Sequence, residues 1–384
     1  MYDFEETIDR RKTDSVKWDI KKNELPMWVA DMDFQVAPEI VSAIKNKADQ
    51  AVFGYEWPRE DYFNAVAGWY ETEHHARPNT DWMLFVTGVV PAISSMVRRL
   101  SNVGDNVLVQ APVYNIFYNS IVNNGRHVLS NDLVFDGEGY SIDFDDLEKK
   151  MSEPTTTLMI LCNPHNPVGK IWSRDDLIRL AELANEHGVK IISDEIHGDI
   201  TFTEDGYVPM FSLPENLIQN VAVCVSTSKT FNVAAIHAAT IIVPNEHLRD
   251  TVNRGINTDE ISEPNSFAIP ATIAAYTKGH KWLGELKEKL TSNRELVADY
   301  LKENIPEIKL IHSDATYLLW LDVQEISDDS AKLQEFIRND TGLYLSAGNV
   351  YGGDGNDFLR MNIACPTSSV KDGLDRLAKS IKDF

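Results

Sequence analysis

The sequence predicts an α/β fold: a mainly parallel sheet with helices on both faces, accompanied by a smaller α+β lobe. Three observations predict it. Between about residues 80 and 245, short apolar runs alternate with amphipathic stretches, the pattern of strands joined by crossover helices. Those runs are continuously apolar, as strands buried on both faces are. At 384 residues the chain is also too long for one hydrophobic core.

The elements follow in order. Met83–Val86 reads as a strand ending at Thr87-Gly88, and residues 91–100 read as a helix. Asn106–Val109 is a second apolar run, followed by Pro112. Residues 158–162 are apolar throughout. Ser173 and Asp176 then make a capping-box-like start. Leu177, Leu180, Ala181 and Ala184 recur at helical spacing, and Gly188 supplies the stop. Residues 189–193, Val221–Val225 and 240–243 resume as strands. The C-terminal third changes character. It holds a long charged helix over 281–304, a strand over 318–321 and a short helix over 331–338. A strand-like 343–345 and a last helix over 370–381 follow. Residues 1–45 are punctuated by proline and read as irregular, packing against this smaller lobe.

Composition narrows the function classes. Lys+Arg 36 against Asp+Glu 59 gives a net charge of −23. Nucleic acid binding needs a basic face, and the densest basic cluster is only Arg10, Arg11 and Lys12, expected on a solvated turn. Three cysteines make no disulfide framework and suit a reducing compartment. The acidic N-terminus lacks a signal-peptide stretch, and no apolar run approaches the roughly 18–20 residues that span a bilayer. The expectation is a cytoplasmic protein with no membrane and no nucleic acid partner. His74-His75 lacks the spacing of metal ligands, so no metal is expected; dinucleotide and P-loop glycine motifs are absent.

Three polar clusters stand where predicted strands end: the loop 163–169 with its two prolines, residues 194–197, and residues 226–229. Adjacent parallel strands bring such clusters to one rim, where ligands of open α/β sheets bind. Lys229, with Asp194 35 residues upstream, suggests Schiff-base chemistry. Desolvation lowers a lysine's pKa and makes it a nucleophile toward a carbonyl. A carboxylate can keep a pyridine nitrogen protonated, so that the ring withdraws electrons from a carbanion. The hydroxyls of Ser226 and Ser228, with the amides of Gly88, Val89 and Val90 at a helix start, suit a phosphate.

These residues resemble fold-type I pyridoxal-phosphate enzymes of the class I and II aminotransferase superfamily. More narrowly, they resemble the cystathionine β-lyase, or cysteine-S-conjugate C–S lyase, branch. The resemblance runs over nearly the whole chain, in order. It rests on residues 25–34 (LPMWVADMDF), Gly54-Tyr55, residues 88–91, Pro112-Val113-Tyr114, the 163–169 loop, residues 194–197, residues 226–232 and Arg360-Met361-Asn362.

The resemblance implies a seven-stranded sheet in a large cofactor-binding domain, residues 46–284, with a small domain formed by residues 1–45 and 285–384. It implies pyridoxal 5'-phosphate as cofactor, with Lys229 forming the Schiff base and moving protons at the substrate's Cα. Asp194 would pair with the pyridinium nitrogen and Asn166 with the ring hydroxyl oxygen. Tyr114 would stack on one ring face, Ile196 would lie against the other, and His197 would stand near the hydroxyl edge. Gly88, Val89, Val90, Ser226 and Ser228 would hold the phosphate. Tyr55 would reach it from the neighbouring subunit, which implies a homodimer. Arg360 would clamp the α-carboxylate of an amino-acid substrate, with Ala30 beside it.

The implied reaction is β-elimination on L-cystathionine or a related S-substituted cysteine, giving a thiol, pyruvate and ammonia. An aminotransferase shares the same core residues and is the alternative. A regulatory or interaction role on the same scaffold is the alternative of another class. One departure bears on the choice. Many aminotransferases of this superfamily place an arginine eight residues after the lysine, where this chain has His237. That favours the lyase and leaves the grip on the phosphate open.

Overall fold

The computed structural model describes residues 2–204 and 206–384. Its centre is a seven-stranded sheet of β1 (Met83–Val86), β2 (Asn106–Val109), β3 (His127–Ser130), β4 (Thr156–Cys162), β5 (Lys190–Asp194), β6 (Val221–Val225) and β7 (Ala239–Ile242), in the order β1-β7-β6-β5-β4-β2-β3. All neighbours are parallel except β7, which runs antiparallel to both β1 and β6. The exception has a local cause. The connection from β6 to β7 holds only the one-turn helix Thr227–Thr230 and a short 3-10 turn, so no crossover helix carries the chain back across the sheet.

The apolar runs are explained by burial on both faces. Leu108, Met159, Leu161, Ile191 and Val223 face one core, while their neighbours Val107, Ile160, Cys162, Ile192 and Cys224 face the other. Helix Val89–Leu100 turns Val89, Ala92, Ile93, Met96 and Val97 toward the second core. Helix Arg174–His187 seals the first with Leu177, Leu180, Ala181 and Ala184. Its capping box at Ser173 and Asp176 and its left-handed Gly188 stand where the sequence signals put them.

A second, four-stranded antiparallel sheet is built from Lys309–Leu310, Leu318–Asp322, Phe358–Asn362 and Ser346–Ala347 in that order. Helices His280–Asn304, Ser330–Thr341 and Thr367–Asp383 belong to the same part of the chain. The 25-residue helix His280–Asn304 runs continuously through the expected boundary at 284, and helix Pro38–Asp49 spans the one at 45.

Two expectations change. The strand expected over 343–345 is only Leu343–Tyr344, paired in parallel with Leu25–Pro26. Residues 1–45 are not wholly irregular, because Pro38 opens a helix at its first turn, where a missing N–H costs nothing. Helix Glu60–His74 had no stop signal, since it ends on a left-handed His75 instead of a glycine. No helix among the described residues is long and apolar enough to cross a membrane.

Candidate active site

The register of the sheet assembles the site. Cys162 of β4 lies opposite Asp194 of β5, and Asp194 opposite Cys224 of β6. Beyond that level the ladder makes two more bonds, Asn163 N–H to Asp194 O and Glu195 N–H to Cys224 O, each 2.9 Å. The three polar clusters therefore leave the sheet at one rim. They line a cavity of about 240 Å³, together with Gly88, Val89 and Val90 at the start of helix Val89–Leu100, Ala30 from the N-terminal segment, and Tyr114. Asn166, Asp194, Ile196, His197, Ser228 and Lys229 all stand on its wall, as do Cys162 and His237.

Lys229 rides on the one-turn helix Thr227–Thr230, whose first turn is capped by Ser226 Oγ accepting from Ser228 N–H at 3.0 Å. Its Nζ donates to Ala30 O at 2.6 Å, an oxygen that also accepts from Tyr317 Oη at 3.0 Å. Burial lowers the Lys229 pKa to about 8, and Arg360 pushes the same way, against Asp31 and Asp194. At neutral pH a neutral, nucleophilic amine is thus within easy reach.

Asp194 has the opposite perturbation. Burial raises its pKa to about 6, opposed by the Ile196 N–H bond to Oδ1 (3.1 Å) and by Lys229. A buried carboxylate raised in this way is set to accept a cationic N–H partner. His197 is driven down to about 3 by burial, Lys229 and Arg360, so it is neutral, and its buried Nδ1 has no hydrogen-bond partner among the described residues. Burial, then Asp194, raises Tyr114 to about 12, so the phenol keeps its proton.

Arg360, on strand Phe358–Asn362, is 5% exposed. Nη2 donates to Trp28 O at 2.8 Å, Nη1 to Asn166 Oδ1 at 3.1 Å, and Nε has no hydrogen-bond partner among the described residues. Its guanidinium carbon sits 4.9 Å from the ring centre of Tyr351. A second hollow of about 420 Å³ is lined by both Lys229 and Arg360, with Trp28, Tyr344, Ser346 and Tyr351. A carboxylate entering here meets a desolvated guanidinium in a hollow that Lys229 also lines.

The N-terminal segment is strapped over the lysine. Asn232, at φ +56°, accepts from Met32 N–H (2.9 Å) and donates to Met32 O (3.0 Å) and Phe34 O (3.1 Å). Asp33 gathers Lys17 Nζ (2.8 Å), Arg10 Nη1 (2.9 Å) and Trp18 Nε1 (2.7 Å). Arg10 is therefore part of a partly buried ion network and not of a solvated turn.

Two expected residues stand elsewhere in this chain. Ser226 does not line the cavity; its Oγ donates to Ala238 O at 2.7 Å and lies 2.8 Å from Ser228 Oγ. Tyr55 is 99% exposed and borders a different hollow with Trp57 and Arg59. Asn232, Tyr317 and Tyr351 escaped sequence reasoning as site residues. Asn232 ends the 226–232 motif, three residues after Lys229, whereas Tyr317 and Tyr351 carry no local signal.

Residues 24–379 match the family described as aminotransferase class I and II. The chain belongs to that family. It is 40% identical to cystathionine beta-lyase PatB of Bacillus subtilis, over 98% of this chain and 99% of that one. A pyridoxal-phosphate-bound putative aminotransferase from Clostridium difficile superposes with a TM-score of 0.96 at 34% identity, covering 99% of this chain and 100% of that chain. Cystalysin from Treponema denticola, a structure that contains pyridoxal 5'-phosphate, superposes with a TM-score of 0.97 at 31% identity, covering 100% and 99%.

Proposed function

We propose that this member of the aminotransferase class I and II family binds pyridoxal 5'-phosphate beside Lys229. With it, the protein cleaves the carbon–sulfur bond of L-cystathionine or related S-substituted cysteines, giving a thiol, pyruvate and ammonia. The observation that carries the cofactor is a buried amine of lowered pKa sharing one cavity with a buried carboxylate of raised pKa. Full-length similarity to PatB supports the lyase over the aminotransferase.

The residues present fit the cofactor. Lys229 offers the amine, Asp194 an ionisable carboxylate for a ring N–H, and His197 an unpartnered buried nitrogen. The start of the twelve-residue helix Val89–Leu100, with Ser228 beside it, suits the phosphate. When bound, the cofactor supplies a carbonyl for amine exchange and an electron-withdrawing ring that stabilises charge at the substrate's Cα.

The chain's own residues do the rest. Arg360 orients the substrate's α-carboxylate, with its unpartnered Nε free for a further bond. Lys229 Nζ takes the proton from Cα, and electrons flow out through Cβ to the departing sulfur. The same Nζ then returns the proton toward the thiolate, and the 2-aminoacrylate left behind takes up one water on release to give pyruvate and ammonia. Asp194 would keep a proton on the nitrogen of the cofactor's ring, and Tyr114 and Ile196, on the cavity wall, would help exclude water.

An assay decides. Purified protein given L-cystathionine without any 2-oxo acid is expected to release pyruvate and free thiol, and Lys229→Ala is expected to release neither. Amino transfer that needs a 2-oxo acid and frees no thiol would make the protein an aminotransferase instead.

Exposed apolar side chains support a homodimer. Val52, Phe53, Tyr55 and Trp57 stand 71%, 59%, 99% and 67% exposed along one extended segment. Solitary soluble chains seldom leave such a run bare, and a second copy would bring Tyr55 to its neighbour's cavity.

A further inference from the structure

A helix of four residues does not hold itself in place. Forming one turn fixes three residues for a single hydrogen bond, so helix Thr227–Thr230 depends on its surroundings. Its start is fixed by Ser226, as described above. Its end is fixed differently. Thr230 Oγ1 donates to Asp199 Oδ2 at 2.5 Å, and both residues are buried. The other carboxylate oxygen, Oδ1, accepts from Trp69 Nε1 at 2.8 Å and from His74 Nε2 at 2.7 Å.

Asp199 itself ends the compact turn that begins at Asp194. Within that turn Gly198 N–H donates to Glu195 O and Ile200 N–H to His197 O. One carboxylate thus joins the loop of Asp194, Ile196 and His197 to the residue that follows Lys229. Trp69 reinforces the joint, since its ring packs edge-on against Phe231, with centroids 5.4 Å apart. Burial alone would raise the Asp199 pKa, but the bonds from His74, Thr230 and Trp69 outweigh it and lower it. The group stays an anion, able to take all three donors.

We propose that Asp199 is a positioning residue for the reaction, setting the placement of Lys229 relative to Asp194 through the hydroxyl of Thr230. Asp199 and Thr230 do not line the cavity, so neither touches substrate or cofactor. Their effect passes through the backbone of Lys229, where a displacement of the amine disturbs both proton transfers at the substrate. The inference rests on the role of Lys229 proposed above.

The test compares Thr230→Val, which keeps the shape and loses the donor, with Thr230→Ser, which keeps the donor and loses a methyl. The readouts are kcat and KM for L-cystathionine, the visible absorption band of the bound cofactor, and its dissociation constant. All are taken on holoenzyme at a temperature where circular dichroism shows every variant folded. Thr230→Val is expected to lower kcat about tenfold to a hundredfold with KM within about threefold, and to alter the band and weaken cofactor retention. Thr230→Ser is expected to stay within about twofold of the parent on every readout.

Equal impairment of the two variants would overturn the proposal, because it would mean that packing and not the hydroxyl matters. So would a Thr230→Val enzyme with parental kcat and band. Asp199→Asn, whose amide can donate to the Thr230 oxygen while its carbonyl accepts from Trp69, is expected to fall between parent and Thr230→Val. A parent protein showing no cofactor band at all would instead strike the reading of Lys229, a distinguishable result.

Discussion

The same burial perturbs Lys229 and Asp194 in opposite directions: it lowers the lysine to about 8, which brings the neutral amine within reach, and raises the carboxyl only to about 6, so that it is still mainly an anion near neutrality. Removing the anion while keeping the shape isolates its part. Asp194→Asn is expected to lower kcat about 10²- to 10³-fold with the fold intact, measured by steady-state pyruvate release alongside circular dichroism. A neighbouring carboxyl makes a separate prediction. Glu195 lies behind the site, where burial pushes its pKa up to about 8 against the bonds from Met210 N–H and the Ser193 hydroxyl. A carboxyl whose folded pKa is raised favours the folded state fully only below its unfolded value, and that contribution is lost as pH rises toward 8. Glu195→Gln, which cannot ionise, is therefore expected to raise the unfolding temperature of the apoprotein above the parent's at pH 9. At pH 4 the two should be close, and thermal denaturation at the two pH values checks it.

At the scale of elements, the strand ends set the chemistry and the N-terminal strap completes it. Ala30 O reaches Lys229 Nζ only because residues 30–34 are tied down, by Asn232 on one side and by the Asp33 network on the other. Lys17 is 1% exposed and has its shortest ionic contact, 2.8 Å, with Asp33. Asp33→Ala leaves that ammonium and the Arg10 guanidinium with Asp31 as their remaining carboxylate partner. The expected cost is about 3–5 kcal/mol, read as a shift in the urea midpoint at unchanged slope. Because the strap carries Ala30, kcat should fall in the fraction that remains folded. The elements themselves were mostly legible. Helix Arg174–His187 announces both its ends, whereas the direction of β7 depends on what the β6–β7 connection lacks, and helix Glu60–His74 ends without a glycine.

At the scale of the molecule, Val52, Phe53, Tyr55 and Trp57 gather four exposed large apolar side chains within six positions. If a second copy covers it, the parent protein should scatter light as twice the chain mass at micromolar concentration. Trp57→Asp, which buries a charge in that contact, should scatter as one chain and bind cofactor more weakly, since Tyr55 would lose its neighbour. A parent that scatters as a single chain would remove Tyr55 from the site.

The α/β architecture is legible in the sequence alone, because burial on both faces writes a continuous apolar run into each central strand and polar clusters at their ends. The sequence also carried Lys229, Asp194, Asn166 and Arg360, each inside a short motif. Tertiary structure alone decided what surrounds them. The bond from Lys229 to Ala30 spans 199 positions and that from Arg360 to Asn166 spans 194, so neither leaves a local pattern. Asp199 stands 130 positions from Trp69 and 125 from His74, so no local pattern links the three. Their convergence beneath Thr230 exists only once the strand register has fixed where each loop begins. Local propensity and hydrophobic period act over a few residues, whereas desolvation and hydrogen-bond geometry act between whatever the fold brings together, and the site is made of the latter.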